Sequence, residues 1–173
     1  RLELQANSEE DRADMLATLS TRFATLVPNL SKGEVDLRAL EQKSEGNPLY
    51  LNTVFEHLAH KRLELADLGS LPSGLDDLYA YLVERAEQQD PQVRPLLMVL
   101  TLARAPLSAA LLADILDEPE TRVRSRLSRL RPLVHPEDDI WELVHPALRY
   151  WMISAHDTDL IEVQRRIANT LAS

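Results

Sequence analysis

The sequence has no cysteine and only four glycines among its 173 residues. Without thiols, disulfides and cysteine-ligated zinc are excluded. The glycines are Gly33, Gly46, Gly69 and Gly74. They do not give the spacing of a phosphate-gripping loop, in which backbone N–H groups wrap a phosphate beside a lysine, and no G-x-G-x-x-G run exists. No serine lies between the glycines of a nucleophile elbow. Aromatic residues make up 5% of the chain. No apolar run approaches the roughly 20 residues of a membrane span. The start, Arg1-Leu2-Glu3-Leu4-Gln5-Ala6, lacks both an initiator methionine and the apolar core of a signal peptide. The chain therefore reads as a cytoplasmic piece of something longer. By itself it is expected to be a regulatory, ligand-contacting piece rather than an enzyme.

What is present fits a globular protein. Hydrophobic residues make up 45% and charged residues 27%, and the length allows one large or two small helical domains with real cores. Charge is unevenly spread. Residues 1–90 hold 17 acids and 9 bases, whereas residues 91–173 hold 11 acids and 10 bases, giving −8 and −1 of the total −9. The first half should repel nucleic acid, whose binding leans on cations that neutralise phosphates.

Hydrophobic spacing predicts a mainly helical chain. Leu2 and Leu4 alternate with polar residues and read as a strand cut from an upstream sheet. Ser8, with Asp11 three residues on, opens a helix that runs to Val27 and ends at Pro28. A second helix carries Val35, Leu37 and Leu40 and stops at Gly46. Asn47 and Pro48 restart the chain as cap and first helical residue, and Tyr50, Leu51, Val54, Phe55 and Leu58 line the face of the third helix. After a loop with Gly69, Pro72 and Gly74, a fourth helix turns Leu75, Leu78, Tyr79, Leu82, Val83 and Ala86 inward.

Asp90-Pro91 marks the next helix start and the boundary between two subdomains. A strongly apolar helix through Leu96, Leu97, Val99, Leu100 and Leu102 follows, then a short helix capped by Ser108 and another from Glu120 to about Leu133. Leu133-Val134-His135 and Ile140–Val144 flank an acidic turn and read as a β-hairpin. Two further helices hold Leu148, Trp151 and Met152, then Leu160, Ile161, Val163, Ile167 and Leu171. The expected fold is a four-helix bundle followed by a winged helix-turn-helix domain with one small β-hairpin.

Three sets of residues are candidates for chemistry. His57 and His60 lie three apart on a helix, but no carboxylate is spaced to complete a metal site with them, so two solvated histidines are expected. Arg122, Arg126 and Arg129 share one face of the helix in the recognition position of a helix-turn-helix. They would contact phosphates or bases, or form a solvated face toward acidic partners or the acidic first half of the chain; the acidity of the chain favours the second. His145 stands at a strand exit and a helix mouth, where the helix N-terminus suits an anion.

The order of Gly46-Asn47-Pro48-Leu49-Tyr50-Leu51, Leu71-Pro72-Ser73-Gly74-Leu75-Asp76-Asp77-Leu78-Tyr79, Ala105-Pro106-Leu107-Ser108 and Leu143-Val144-His145-Pro146-Ala147-Leu148 resembles the C-terminal half of the nucleotide-switch module of STAND signal-transduction ATPases, which include NB-ARC and NACHT proteins. The resemblance spans nearly the whole chain. It implies a remnant of the upstream ATPase core over residues 1–7, a helical lid over 8–89 and a winged helix over 90–173. It implies that Gly46, Asn47 and Pro48 pack on the adenine of ADP or ATP, and that His145 contacts the β-phosphate of ADP. Where many family members have an Asp after the histidine, this chain has Pro146. Further implications are an upstream P-loop ATPase core that holds nucleotide with Mg, a downstream sensor or repeat domain, and homo-oligomerisation on activation. The competing readings are a winged-helix transcription regulator that binds DNA through its arginines and a plain helical interaction scaffold.

Overall fold

The computed structural model describes residues 37–171, together with residues 17 and 21. The strand expected at Leu2–Leu4, the proposed core remnant over residues 1–7, Val35 of the expected second helix and, apart from residues 17 and 21, the helix expected from Ser8 to Val27 lie outside the described residues. The described chain is mainly helical, with a small three-stranded antiparallel sheet. It divides into two compact units between Leu78 and Tyr79.

In the first unit, α1 (Leu37–Ser44) and α2 (Pro48–Ala59) are joined by a sharp corner. Glu45 and Gly46 both adopt the left-handed conformation, with φ of 51° and 77°. Ser44 O accepts from Asn47 N at 2.8 Å across the corner. Asn47 then caps α2, its Oδ1 accepting from Leu49 N at 3.0 Å. Pro48 follows at the first helical position, where an N–H would have no helical partner. The helical spacing buries Tyr50, Leu51, Val54, Phe55 and Leu58 on one face, with Leu40 of α1 and Leu63, Leu68 and Leu71 around them.

The expected plain loop before the fourth helix contains a 3-10 helix, Leu65–Ser70. Glu64 and Asp67 form its reciprocal capping box, with Glu64 N donating to Asp67 Oδ2 at 2.8 Å. The C-terminal carbonyls of this short helix are satisfied by Lys43, whose Nζ donates to Gly69 O at 2.8 Å and Leu71 O at 2.5 Å. Gly74 N in turn donates to Lys43 O at 2.8 Å. The loop is thus laced to the end of α1. The next helix, α3 (Leu75–Gln89), opens with Asp76 and Asp77 in its first turn, where negative charge suits the helix N-terminus.

The second unit centres on α4 (Val93–Leu102), whose Val93, Leu96, Leu97, Met98, Val99 and Leu100 are all buried. The helix begins later than Pro91 because the Asp90 carboxylate accepts from Gln92 N at 3.0 Å and holds a turn ahead of it. Pro95 lies in the first turn and is accommodated there. At the far end, Arg149 Nη1 donates to Thr101 O at 2.6 Å and Ala103 O at 2.7 Å, replacing the partners that the last helical carbonyls lack.

Strand β1 (Leu107–Ser108), helix α5 (Ala109–Leu116) and helix α6 (Glu120–Arg129) come next. Ser108 has two roles, pairing in the sheet and capping α5 by accepting from Leu111 N at 3.1 Å. Asp117, at φ 53°, ends α5 in the left-handed conformation more usual for glycine, and Pro119 starts α6. The latter helix stops at Arg129 rather than near Leu133. Pro132 has no N–H to continue it, and Leu130, Leu133 and Val134 turn into the core. Arg131 therefore lies beyond the helix.

The hairpin is β2 (Val134–Glu137) with β3 (Ile140–Leu143), in the register Val134 to Leu143 and His135 to Glu142. Asp138 and Asp139 make its two-residue turn, both at positive φ (44° and 72°), as strand twist demands. Strand β1 pairs with the free edge of β3, so the sheet has the order β1-β3-β2 and the expected lone hairpin becomes three strands. Helices α7 (Pro146–Ala155) and α8 (Asp157–Leu171) complete the unit, both packing on α4. Leu148, Met152, Leu160 and Val163 are buried as their spacing predicts, whereas Ile161 is 69% exposed. None of the helices among the described residues is long and apolar enough to cross a membrane.

Candidate ligand-contact sites

The first candidate is the Gly46-Asn47-Pro48 corner. Gly46 and Pro48 are exposed, while Asn47 is half-buried by its capping bond. A methyl group built at Gly46 would meet no atom within 4 Å. Glycine is therefore favoured here by its φ of 77° rather than by crowding. The backbone at Gly46 and the Pro48 ring are open to solvent. Gly46→Ala should lower the stability of the first unit by about 1 kcal/mol through left-handed strain alone, and Asn47→Ala by about the same through the lost cap. Urea midpoints measure both.

The second candidate, His145, is the N-cap of α7. Its backbone is extended, Pro146 occupies the first helical position, and its Nδ1 accepts from Ala147 N at 3.0 Å. An imidazole that accepts at Nδ1 carries its proton at Nε2 when neutral. The exposed ring thus offers an N–H donor beside a helix N-terminus, a combination suited to a phosphate oxygen. Asn47-Pro48 and His145-Pro146 repeat one piece of local chemistry: a side-chain cap followed by proline.

The arginine face of α6 is unlike the open face its sequence suggests. Arg126 is 4% exposed. Its Nε donates to Asp90 Oδ2 at 2.8 Å and its Nη2 to Glu118 Oε2 at 3.0 Å. Burial raises the pKa of Asp90, but hydrogen bonds from Arg126 and from Gln92 N–H, with the charges of Arg126 and Arg129, outweigh it and hold the carboxyl below its ordinary range. Arg126 is likewise held in its charged form: burial opposes the charge, and the two carboxylates more than offset that. Arg129, about half-exposed, reaches the same Asp90 oxygen at 3.3 Å. Arg124 is bidentate to Asp139 in the hairpin turn and also pairs with Glu120, and its hydrogen bonds hold the Asp139 carboxyl below its ordinary range. The Arg122 side chain makes no hydrogen bond or ion pair among the described residues; its backbone N–H donates to Pro119 O at 2.9 Å. Asp90 and Glu118 are the residues that sequence reasoning missed. They stand 36 and 8 positions from Arg126, outside the reach of any helical spacing rule.

Of the two histidines on α2, His57 is buried at 5% exposure rather than solvated, while His60 is exposed with its Nδ1 2.8 Å from Glu56 O. No group of three or more metal-ligating side chains is found among the described residues. Compared with known protein families, curated proteins and solved structures, the chain matches none.

Proposed function

We propose that this chain is the regulatory, nucleotide-contacting portion of a STAND-type switch: a helical lid followed by a winged helix, acting with a P-loop core that is not among these residues. The observation that carries the reading is His145. Its Nδ1 is tied to the start of α7, which leaves an Nε2–H donor exposed at a helix N-terminus. The element order helix, strand, helix, helix, hairpin, with sheet order β1-β3-β2, supports the winged-helix part. The exposed corner at Gly46 and Pro48 supports an adenine contact.

In this reading each unit supplies one contact to a nucleotide held elsewhere, and hydrolysis is the work of the upstream core. ADP engages His145 through its β-phosphate and favours the closed form. Exchange for ATP loses that contact and frees the winged helix to move and the parent to oligomerise. A ligand shifts such an equilibrium only by contacts it makes in one state.

The test uses the intact parent. A hydrogen bond to a charged phosphate contributes about 1.5–3 kcal/mol, so His145→Ala should weaken ADP binding by about 10- to 100-fold. The same variant also loses a helix cap. His145→Asp separates the two effects, because Asp caps well but repels phosphate: it should keep stability and still lose ADP. Wild-type ADP affinity in both variants would eliminate the contact.

The nucleic-acid reading has less support. Arg126, the middle residue of the arginine face, is enclosed by Asp90 and Glu118. A gel shift at low salt on mixed-sequence duplex should show no complex.

A further inference from the structure

Beside α6 lies a surface cavity of about 530 Å³, lined by Asp90, Glu118, Arg122, Ser125, Arg126 and Arg129. At about 100° per residue, Arg122, Ser125, Arg126 and Arg129 fall within roughly one quarter of the helix circumference. Three guanidiniums thus face one cavity against two carboxylates. The carboxylates are already engaged. Glu118 is bonded by Arg126, and Asp90 by Arg126, by Gln92 N and at longer range by Arg129. Two cations keep donors to offer. Arg122 has all of its own, and Arg129 is tethered only by the 3.3 Å contact, in which its side chain stays 46% exposed. A rim contact of that kind is weak and easily redirected. Ser125, exposed, lies between the two arginines on the same face.

We propose that this cavity is a binding site for a single phosphate-type oxyanion, held between Arg122 and Arg129 with the Ser125 hydroxyl donating to it. The buried Arg126 and the part-buried Asp90 and Glu118 form its floor and tie α6 to the turn ahead of α4. The charge arithmetic selects a single anion over a nucleic-acid strand. Two available guanidiniums neutralise about two phosphates at most, whereas duplex binders use about 6–10 such contacts, and the chain as a whole carries −9. A phosphate monoester, on a small ligand or on a modified side chain of a partner, has the charge and oxygen acceptors that two guanidiniums and a hydroxyl take. The inference does not depend on the nucleotide-switch reading, since His145 lines no part of this cavity.

Isothermal titration of the 173-residue chain with inorganic phosphate, at ionic strength held constant with chloride, tests it. A single site with Kd of about 1 mM is expected, matching two charge-assisted contacts. Arg122→Gln with Arg129→Gln should weaken it at least tenfold and leave the circular dichroism spectrum unchanged, because both side chains are at the surface. Arg122→Lys should retain part of the affinity, and His145→Ala all of it. Competition by O-phosphoserine and by ribose 5-phosphate then sorts a modified side chain from a small ester. The proposal is overturned if phosphate binds no better than chloride, if the double glutamine variant binds as tightly as wild type, or if His145→Ala removes the binding.

Discussion

Arg126→Ala lowers the stability of the second unit by about 3–5 kcal/mol, whereas Arg122→Ala, one turn earlier on the same helix, changes it by less than about 0.5 kcal/mol. Both side chains are arginines on one face, and the difference lies in what surrounds them. Arg126 is 4% exposed and holds two carboxylates whose side chains are themselves only 17% and 15% exposed. Its removal leaves those two negative charges facing each other in a poorly hydrated place. The Arg122 side chain is in solvent and leaves nothing unpaired. Removing the whole ion group should be far milder than removing its centre, because the desolvation of all three charges disappears together. Asp90→Asn with Glu118→Gln and Arg126→Met should recover most of the loss, and denaturant midpoints of the single and triple variants read the coupling directly.

The same group predicts an acid dependence. The Asp90 carboxyl is held below its ordinary value of 3.8 in the folded state. A depressed carboxyl stabilises the fold above its unfolded pKa, and the contribution is lost as pH falls below that value toward the folded one. The second unit should therefore weaken as pH drops below about 4. In Arg126→Ala that part of the decline should shrink, because the main group lowering Asp90 is gone while the Gln92 N–H and Arg129 remain.

Tyr50→Ala lowers the stability of the first unit by about 3–5 kcal/mol, as expected for emptying a fully enclosed aromatic site. The Tyr50 ring has 0% exposure, and its hydroxyl donates to Pro72 O at 2.6 Å, joining α2 to the loop that leads into α3. Tyr50→Phe keeps the ring and removes only the bond, so about 1 kcal/mol should be lost. Burial pushes the phenol up to about 12 from its ordinary 10.0. A raised acid stabilises the folded state below the unfolded pKa and loses that contribution as pH climbs toward the folded one. The wild-type first unit should weaken between about pH 10 and 12, and Tyr50→Phe should lack that component. Phenolate absorbance should likewise show one late-titrating tyrosine in the wild type that is absent from the variant.

The sequence was most legible where structure is local. Asn47-Pro48, Ser108 and His145-Pro146 start helices as their chemistry requires, because a cap bonds N–H groups two or three residues away. The apolar face of α2 and the alternation through β3 are likewise legible from periods of 3.6 and 2. The 3-10 helix carries a readable signal in Glu64 and Asp67, three residues apart, which a loop rich in Gly and Pro obscures. Less legible were helix limits set by neighbours: α6 ends four residues early because Leu130, Leu133 and Val134 are drawn into the core.

The candidate sites divide in the same way. Sequence alone determined that Gly46-Asn47-Pro48 and His145-Pro146 are capped corners, and that no phosphate-gripping loop lies within these residues. It also determined that Arg122, Arg126 and Arg129 fall on one helical face. Only the tertiary structure decided that the middle arginine is enclosed while its neighbours keep donors to offer. Capping bonds close within a few residues, whereas the pairing of Arg126 with Asp90 spans 36 positions and exists because the packing of α4, α5 and α6 brings one turn against another. Helical spacing fixes which way a charge points, and the chain's path through space fixes what it meets.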